Sequence, residues 1–148
     1  MTFTIETRKP KDEILRIIRN NTHTTTFIFD FSKDEKYFAG KIFENSFKIL
    51  RRIHYKNSFL PLIIGTVEEN DCGSTIKIKM RMAIFVTVFL SIWLGGIIAA
   101  CIIFPFVGAP MPSVLIPYIM LVFGVLIVVI PNKIEAKKAK EKLEELLK

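Results

Sequence analysis

The chain has 148 residues, a formal net charge of +7 and a hydrophobic fraction of 51%. No charged residue lies between Arg81 and Lys133, so all 21 basic and 14 acidic side chains fall outside that stretch. This division excludes a purely cytosolic enzyme, a secreted disulfide mini-protein and a disordered chain.

In chain order, residues Pro10 to Asn20 predict a short helix. Pro10 suits a first helical position, and Asp12 and Glu13 favour the positive end of the helix dipole. Ile14, Leu15 and Ile18 form its apolar face, with Ile17 at the edge. Strand-like runs follow. Thr24 to Phe29 is β-branched and aromatic. Asp30 to Lys36 reads as a turn, and Tyr37 to Phe43 as a weakly alternating strand containing Gly40. After a turn at Glu44-Asn45, Ser46 to His54 puts Phe47, Ile49 and Arg51 on one side and Lys48, Leu50 and Arg52 on the other. Lys56-Asn57-Ser58 is turn chemistry. Phe59 to Glu68 is apolar, and Pro61 restricts it to an edge or to the start of a strand. Asn70-Asp71-Cys72-Gly73 is the clearest hairpin loop. Ser74 to Arg81 then alternates cleanly, Ile76, Ile78 and Met80 against Thr75, Lys77, Lys79 and Arg81.

The last strand runs directly into the apolar segment. Met82 to Phe104 is 23 residues long, ~34 Å as a helix, enough for a ~30 Å hydrocarbon core. It begins too late to be a cleavable leader, so a retained membrane span is expected. An uncharged connection over 105–113 follows, then a second span over about 112–130. Asn132 to Lys148 reads as a charged amphipathic helix with Ala136, Ala139, Leu143 and Leu146 on one stripe and Lys137–Glu141 and Glu144–Lys148 as i,i+4 pairs. The expected fold is an α+β membrane protein with three parts. A cytosolic domain over 1–81 holds a short helix and four or five antiparallel strands, a transmembrane helical hairpin covers 82–131, and a C-terminal cytosolic helix covers 132–148.

Fifteen basic residues precede the apolar segment, six follow it and the connection has none. The positive-inside rule then puts both termini in the cytoplasm. The absence of Gln and the abundance of Lys, Ile and Phe hint at an AT-rich bacterial genome, and the expected location is the cell inner membrane. Cys72 and Cys101 are too few for a disulfide framework, and a reducing compartment fits the charged regions.

Two groups of side chains stand out. Thr87, Ser91, Gly95 and Ala99 recur every four residues on the first span, with Gly96 and Ala100 beside them and Gly124 as the comparable small site on the second. Small residues at this spacing let helices approach closely. The plainer expectation is packing against the second span, and the sharper one is self-association into an oligomer or pore. Lys77, Lys79 and Arg81 at the entrance to the apolar segment, with Lys133, Lys137 and Lys138 at its exit, are candidate contacts to anionic lipid head groups. Ordinary positive-inside flanking explains them equally well. Arg51, Arg52, His54 and Lys56 read as a solvated sheet face, since no stacking aromatics or motif supports nucleic-acid binding. The spans carry no ionisable residue, which argues against proton relays, ion-coupled transport and voltage sensing. No metal-ligand spacing, catalytic motif or cofactor loop is found, so no catalytic residue, metal or cofactor is expected.

Phe38-Ala39-Gly40-Lys41-Ile42, then Lys56 to Gly65 and Gly73 to Arg81 leading into an apolar span, resembles small bacterial two-span membrane proteins with an N-terminal cytosolic β-rich domain. The arrangement is more distantly similar to YcxB-type and bacterial pleckstrin-homology-like membrane proteins, although those place the helix pair first. The resemblance implies domain order and carries no activity. Three function classes follow. The leading one is a non-enzymatic membrane protein that binds or regulates a membrane partner, with toxin immunity as a concrete form. The others are an oligomerising effector or pore and an anionic-lipid-sensing module. The expected partners are the lipid bilayer and a protein, or a second copy, meeting the first span or the C-terminal helix.

Overall fold

The computed structural model describes residues 1–24, 36–53, 57 and 59–148. The elements run β1 (Thr2–Thr7), α1 (Lys11–Asn20), β2 (Thr22–Thr24), β3 (Phe38–Ile42), β4 (Ser46–Arg51), β5 (Leu62–Asn70), β6 (Gly73–Arg81), α2 (Ile84–Phe106) and α3 (Met111–Leu147). The strands form one six-stranded sheet in the order β1-β6-β5-β4-β3-β2. All neighbours are antiparallel except β2 and β3, which pair in parallel.

The expected four or five antiparallel strands are therefore corrected to six in a mixed sheet. The added strand is β1, whose short alternation Thr2-Phe3-Thr4-Ile5 sets Phe3 opposite Ile78 and Ile5 opposite Ile76. Pairing with the clean alternation of β6 gives the strand its register. In the parallel pair Phe38 N–H donates to the Asn21 carbonyl at 3.0 Å, aligning Thr22 with Phe38. Most of the strand expected over 24–29, and the turn after it, lie outside the described residues, as do His54, Lys56 and Ser58.

β5 starts immediately after Pro61, where a missing N–H no longer interrupts the ladder. The β5–β6 turn closes with Asn70 opposite Gly73, and the Asn70 side-chain oxygen accepts from the Cys72 N–H at 3.2 Å. Gly73 has a positive φ of 139° and lies against the Thr7 carbonyl, so a side chain there would be strained and would push β1 off the hairpin.

Both α1 and the end of α3 pack on the same sheet face. Ile14, Leu15 and Ile18 meet Ile5, Phe38, Phe47, Ile49, Ile63, Val67, Ile76, Ile78 and Met80 in one core, joined by Ala136, Ala139, Leu143 and Leu147. Phe47 lies over Gly65, where a Cβ would overlap its ring. The charged C-terminal segment thus docks its Ala/Leu stripe on the sheet of its own chain. Leu147 rather than Leu146 completes that stripe, because a straight helix of 3.6 residues per turn drifts away from a strict heptad.

α3 is one helix of 37 residues that continues through Pro117 and Pro131. The boundary expected between residues 131 and 132 falls inside it. Pro131 removes one N–H from the ladder, and the chain continues helical because packing on the sheet holds the following turns. α2 ends one residue beyond Pro105, so the connection shortens from the expected 105–113 to Val107–Pro110, with Gly108 at a φ of 66°. α2 and α3 are long and apolar enough to cross a membrane, with mean hydropathies of 2.5 and 2.8 over their best windows.

Candidate functional site

The hairpin sorts its side chains by face. On α2, Leu90, Ile97 and Cys101 are buried; on α3, Pro117 and Gly124 are. Leu90 and Ile97, like Pro117 and Gly124, are two turns apart, and Cys101 lies one turn beyond Ile97, so each set falls on one face of its helix. Trp93 rests on Gly124 so closely that a Cβ there would meet the indole ring. The Tyr118 hydroxyl donates to the Cys101 carbonyl at 3.0 Å and ties the two helices near their connection. Trp93 is a packing residue and Gly124 the small site that receives it.

Thr87, Ser91, Gly95 and Ala99 lie on a different face. All four are exposed, and a Cβ built on Gly95 or Gly96 would meet nothing within 4 Å. The plainer expectation, that this ladder packs against the second span of its own chain, is therefore corrected. The bulky residues Leu90, Trp93 and Ile97 form the internal seam instead, because they fill the space over Gly124 and Pro117 that small residues would leave void. Gly96 and Ala100 sit between the two faces, lining an apolar groove with Trp93, Phe104, Ser113 and Pro117. The Thr87 hydroxyl donates to the Ala83 carbonyl at 3.2 Å and that of Ser91 to the Thr87 carbonyl at 2.9 Å. Their polarity is thereby satisfied within the helix, as apolar surroundings require.

The flanking cations are not equivalent. Lys77 is paired with Glu68 at 2.7 Å on the exposed sheet face. Lys137 and Lys138 approach Glu141 and Glu135, both at 3.9 Å, and Lys133 is exposed. Lys79 and Arg81 are exposed on the strand that enters α2.

The junction between hairpin and sheet holds a polar cluster that sequence reasoning did not single out. Glu135 on α3, 1% exposed, forms an ion pair and hydrogen bond with Arg51 on β4. Arg51 also donates from Nε to the Tyr37 hydroxyl at 2.9 Å and stacks over its ring. Burial lowers the Arg51 pKa, but the Glu135 and Tyr37 hydrogen bonds outweigh it and hold the guanidinium above its ordinary value. One turn before Glu135, the Asn132 side chain donates to the Phe59 carbonyl at 2.8 Å. Arg51 is thus turned inward toward α3, a correction to the solvated face expected for its cluster. Its alternation with Phe47 and Ile49 was the available signal. Glu135, the one acid among the first basic residues after the span, was the other.

Cys72 is exposed and Cys101 buried, and both are free. Among the described residues no three His, Cys, Asp or Glu side chains gather as metal ligands would. Compared with protein-family models, curated proteins and solved structures, the chain matches none.

Proposed function

We propose that this is an integral inner-membrane protein that acts by binding and regulating another membrane-embedded protein rather than by catalysis. α2 and α3 cross the bilayer, and the sheet and both termini lie in the cytoplasm. The outward ladder Thr87–Ser91–Gly95–Ala99 is the observation that carries this reading. It presents small residues and leaves the backbone of α2 open, while the seam with α3 is already filled from another face. Such a surface suits the close approach of a second apolar helix. Immunity against a membrane-acting toxin is one concrete form of such binding.

The junction supports the regulatory half of the reading. α3 runs without a break from the hairpin to the core of the sheet, with Glu135 fastened to Arg51. A partner that shifts α3 in the membrane would therefore move its docked end on the sheet. An aqueous pore is a weaker fit, since the hydroxyls of Thr87 and Ser91 are already bonded to their own helix.

Gly95→Leu tests the reading. It meets nothing within the chain, so folding and insertion are expected to be unchanged while cross-linking to a membrane partner in cells is lost. Unchanged cross-linking would rule out the ladder as the contact, and permeabilised cells on overexpression would favour the effector class.

A further inference from the structure

The sheet has a second face on which neither α1 nor α3 packs; Ala39, Leu50 and Leu62 are buried there in the row nearest α2, and the lysines of the next row are exposed. Side chains alternate along each strand, so the residues between the core positions point away from α1 and α3. The register sets Lys41 directly opposite Lys48, Lys48 opposite Ile64, and Ile64 opposite Lys79. Three lysines therefore lie in one row across β3, β4, β5 and β6, spread over ~15 Å at ~4.8 Å per strand. Arg81 stands one row nearer α2, on the same face. All four cations are exposed, and none has an ion-pair partner among the described residues.

Like charges directly opposite one another weaken an antiparallel pair. Lys41 and Lys48 bear that penalty with no carboxylate among the described residues of their row to relieve it. Lys77, one row further from α2, is already neutralised by Glu68. The charge left open is thus concentrated in the row of Lys41, Lys48 and Lys79 and at Arg81. These residues are far apart in sequence, and only the strand register assembles them.

We infer that this row is a contact surface for anionic lipid head groups, an inference that rests on the membrane reading above. Two observations favour lipid over other polyanions. β6 joins α2 through Met82 and Ala83 alone, so Lys79 can stand no more than ~17 Å from the start of the apolar helix. The tether holds the stripe beside a bilayer at high effective concentration without any further contact. Among the described residues the row is completed by Ile64 and Thr2, and none of them is an aromatic side chain that would offer a platform for stacking bases. Lys41 and Lys48 are added to the lipid contacts, and Lys77 drops out of them.

The test uses the full chain reconstituted in vesicles of phosphatidylcholine alone or with roughly one-third phosphatidylglycerol, an anionic lipid. Acetylation of each lysine is followed by mass spectrometry. Lys41, Lys48 and Lys79 are expected to react several-fold more slowly in the anionic vesicles, with the difference lost at high salt. Lys148, ~25 Å along α3 from Pro131, is expected to react equally in both. Equal rates at Lys41, Lys48 and Lys79 in protein that resists alkaline carbonate extraction would overturn the inference alone. Extraction by carbonate would instead remove the membrane reading beneath it. Protection by an added single-stranded oligonucleotide, but not by anionic lipid, would overturn the inference in favour of nucleic acid.

Discussion

The two halves of α3 are built on opposite plans within a single helix. Before Pro131 it exposes Leu115, Ile119, Phe123 and Ile127 and buries Pro117 and Gly124. After Pro131 it buries Ala136, Ala139, Leu143 and Leu147 and exposes Lys133, Lys137, Lys138 and Glu141. A helix in water covers its large apolar residues; a helix in lipid has no reason to, and packs by its small ones. The reversal at Pro131 is the pattern expected where the surroundings change from hydrocarbon to water. α2 behaves like the first half, exposing Ile84, Phe85, Ile92 and Ile102. A buried core helix of a soluble protein would show the reverse, whereas in the best apolar windows of α2 and α3 only 22% and 17% of residues are buried.

Substitutions on the two sides of that boundary sharpen the contrast. The largest expected effect is at the junction. Arg51→Ala leaves the Glu135 carboxylate buried without its main cation, a change on the order of 3–5 kcal/mol. It is read as a loss of denaturation midpoint in detergent. The held charge also has a pH signature. Because the Arg51 pKa is raised, its contribution is complete below the ordinary arginine value and fades only as pH rises through the raised one. Stability measured across neutral and mildly alkaline pH should therefore show no loss traceable to Arg51.

Leu143→Ala comes next, at ~2–5 kcal/mol, because Leu143 is wholly enclosed between α3 and the sheet. Phe123→Ala, in the other half of the same helix, should leave the detergent melting point nearly unchanged, since Phe123 is 61% exposed. Equal losses at the two sites would erase the contrast. Gly124→Val is expected to displace Trp93 and separate the hairpin seam by ~1–3 kcal/mol of overpacking, seen as a shift in Trp93 fluorescence. Lys77→Ala is also expected to cost little, ~0–1 kcal/mol, because the pair with Glu68 lies in open solvent.

Periodic elements were legible before the structure. The face of α1, the alternation of β6, the hairpin turn at Asn70 to Gly73 and the two long apolar segments all declare themselves through local spacing. What escaped depends on contacts distant in the chain. β1 is as long as β4, but its partner β6 lies some seventy residues away, and only that pairing sets its register. Continuity through Pro131 depends on the sheet that holds the later turns, and proline alone argues for a break. The Glu135–Arg51 pair joins residues 84 positions apart. The ladder of small residues was visible, but its direction was not. Spacing identifies a face of a helix, and only the bulky seam of Leu90, Trp93 and Ile97 shows that α3 occupies another.

The central claim is that the hairpin spans a membrane with the sheet on the cytoplasmic side. It is tested most directly by labelling single cysteines in intact cells with a membrane-impermeant maleimide. Val107→Cys, at a position 68% exposed in the connection between α2 and α3, should be labelled from outside. Cys72 at the far end of the β5–β6 hairpin should react only after the cells are opened. Labelling of Cys72 in intact cells, or protection of the thiol introduced by Val107→Cys, would contradict the account.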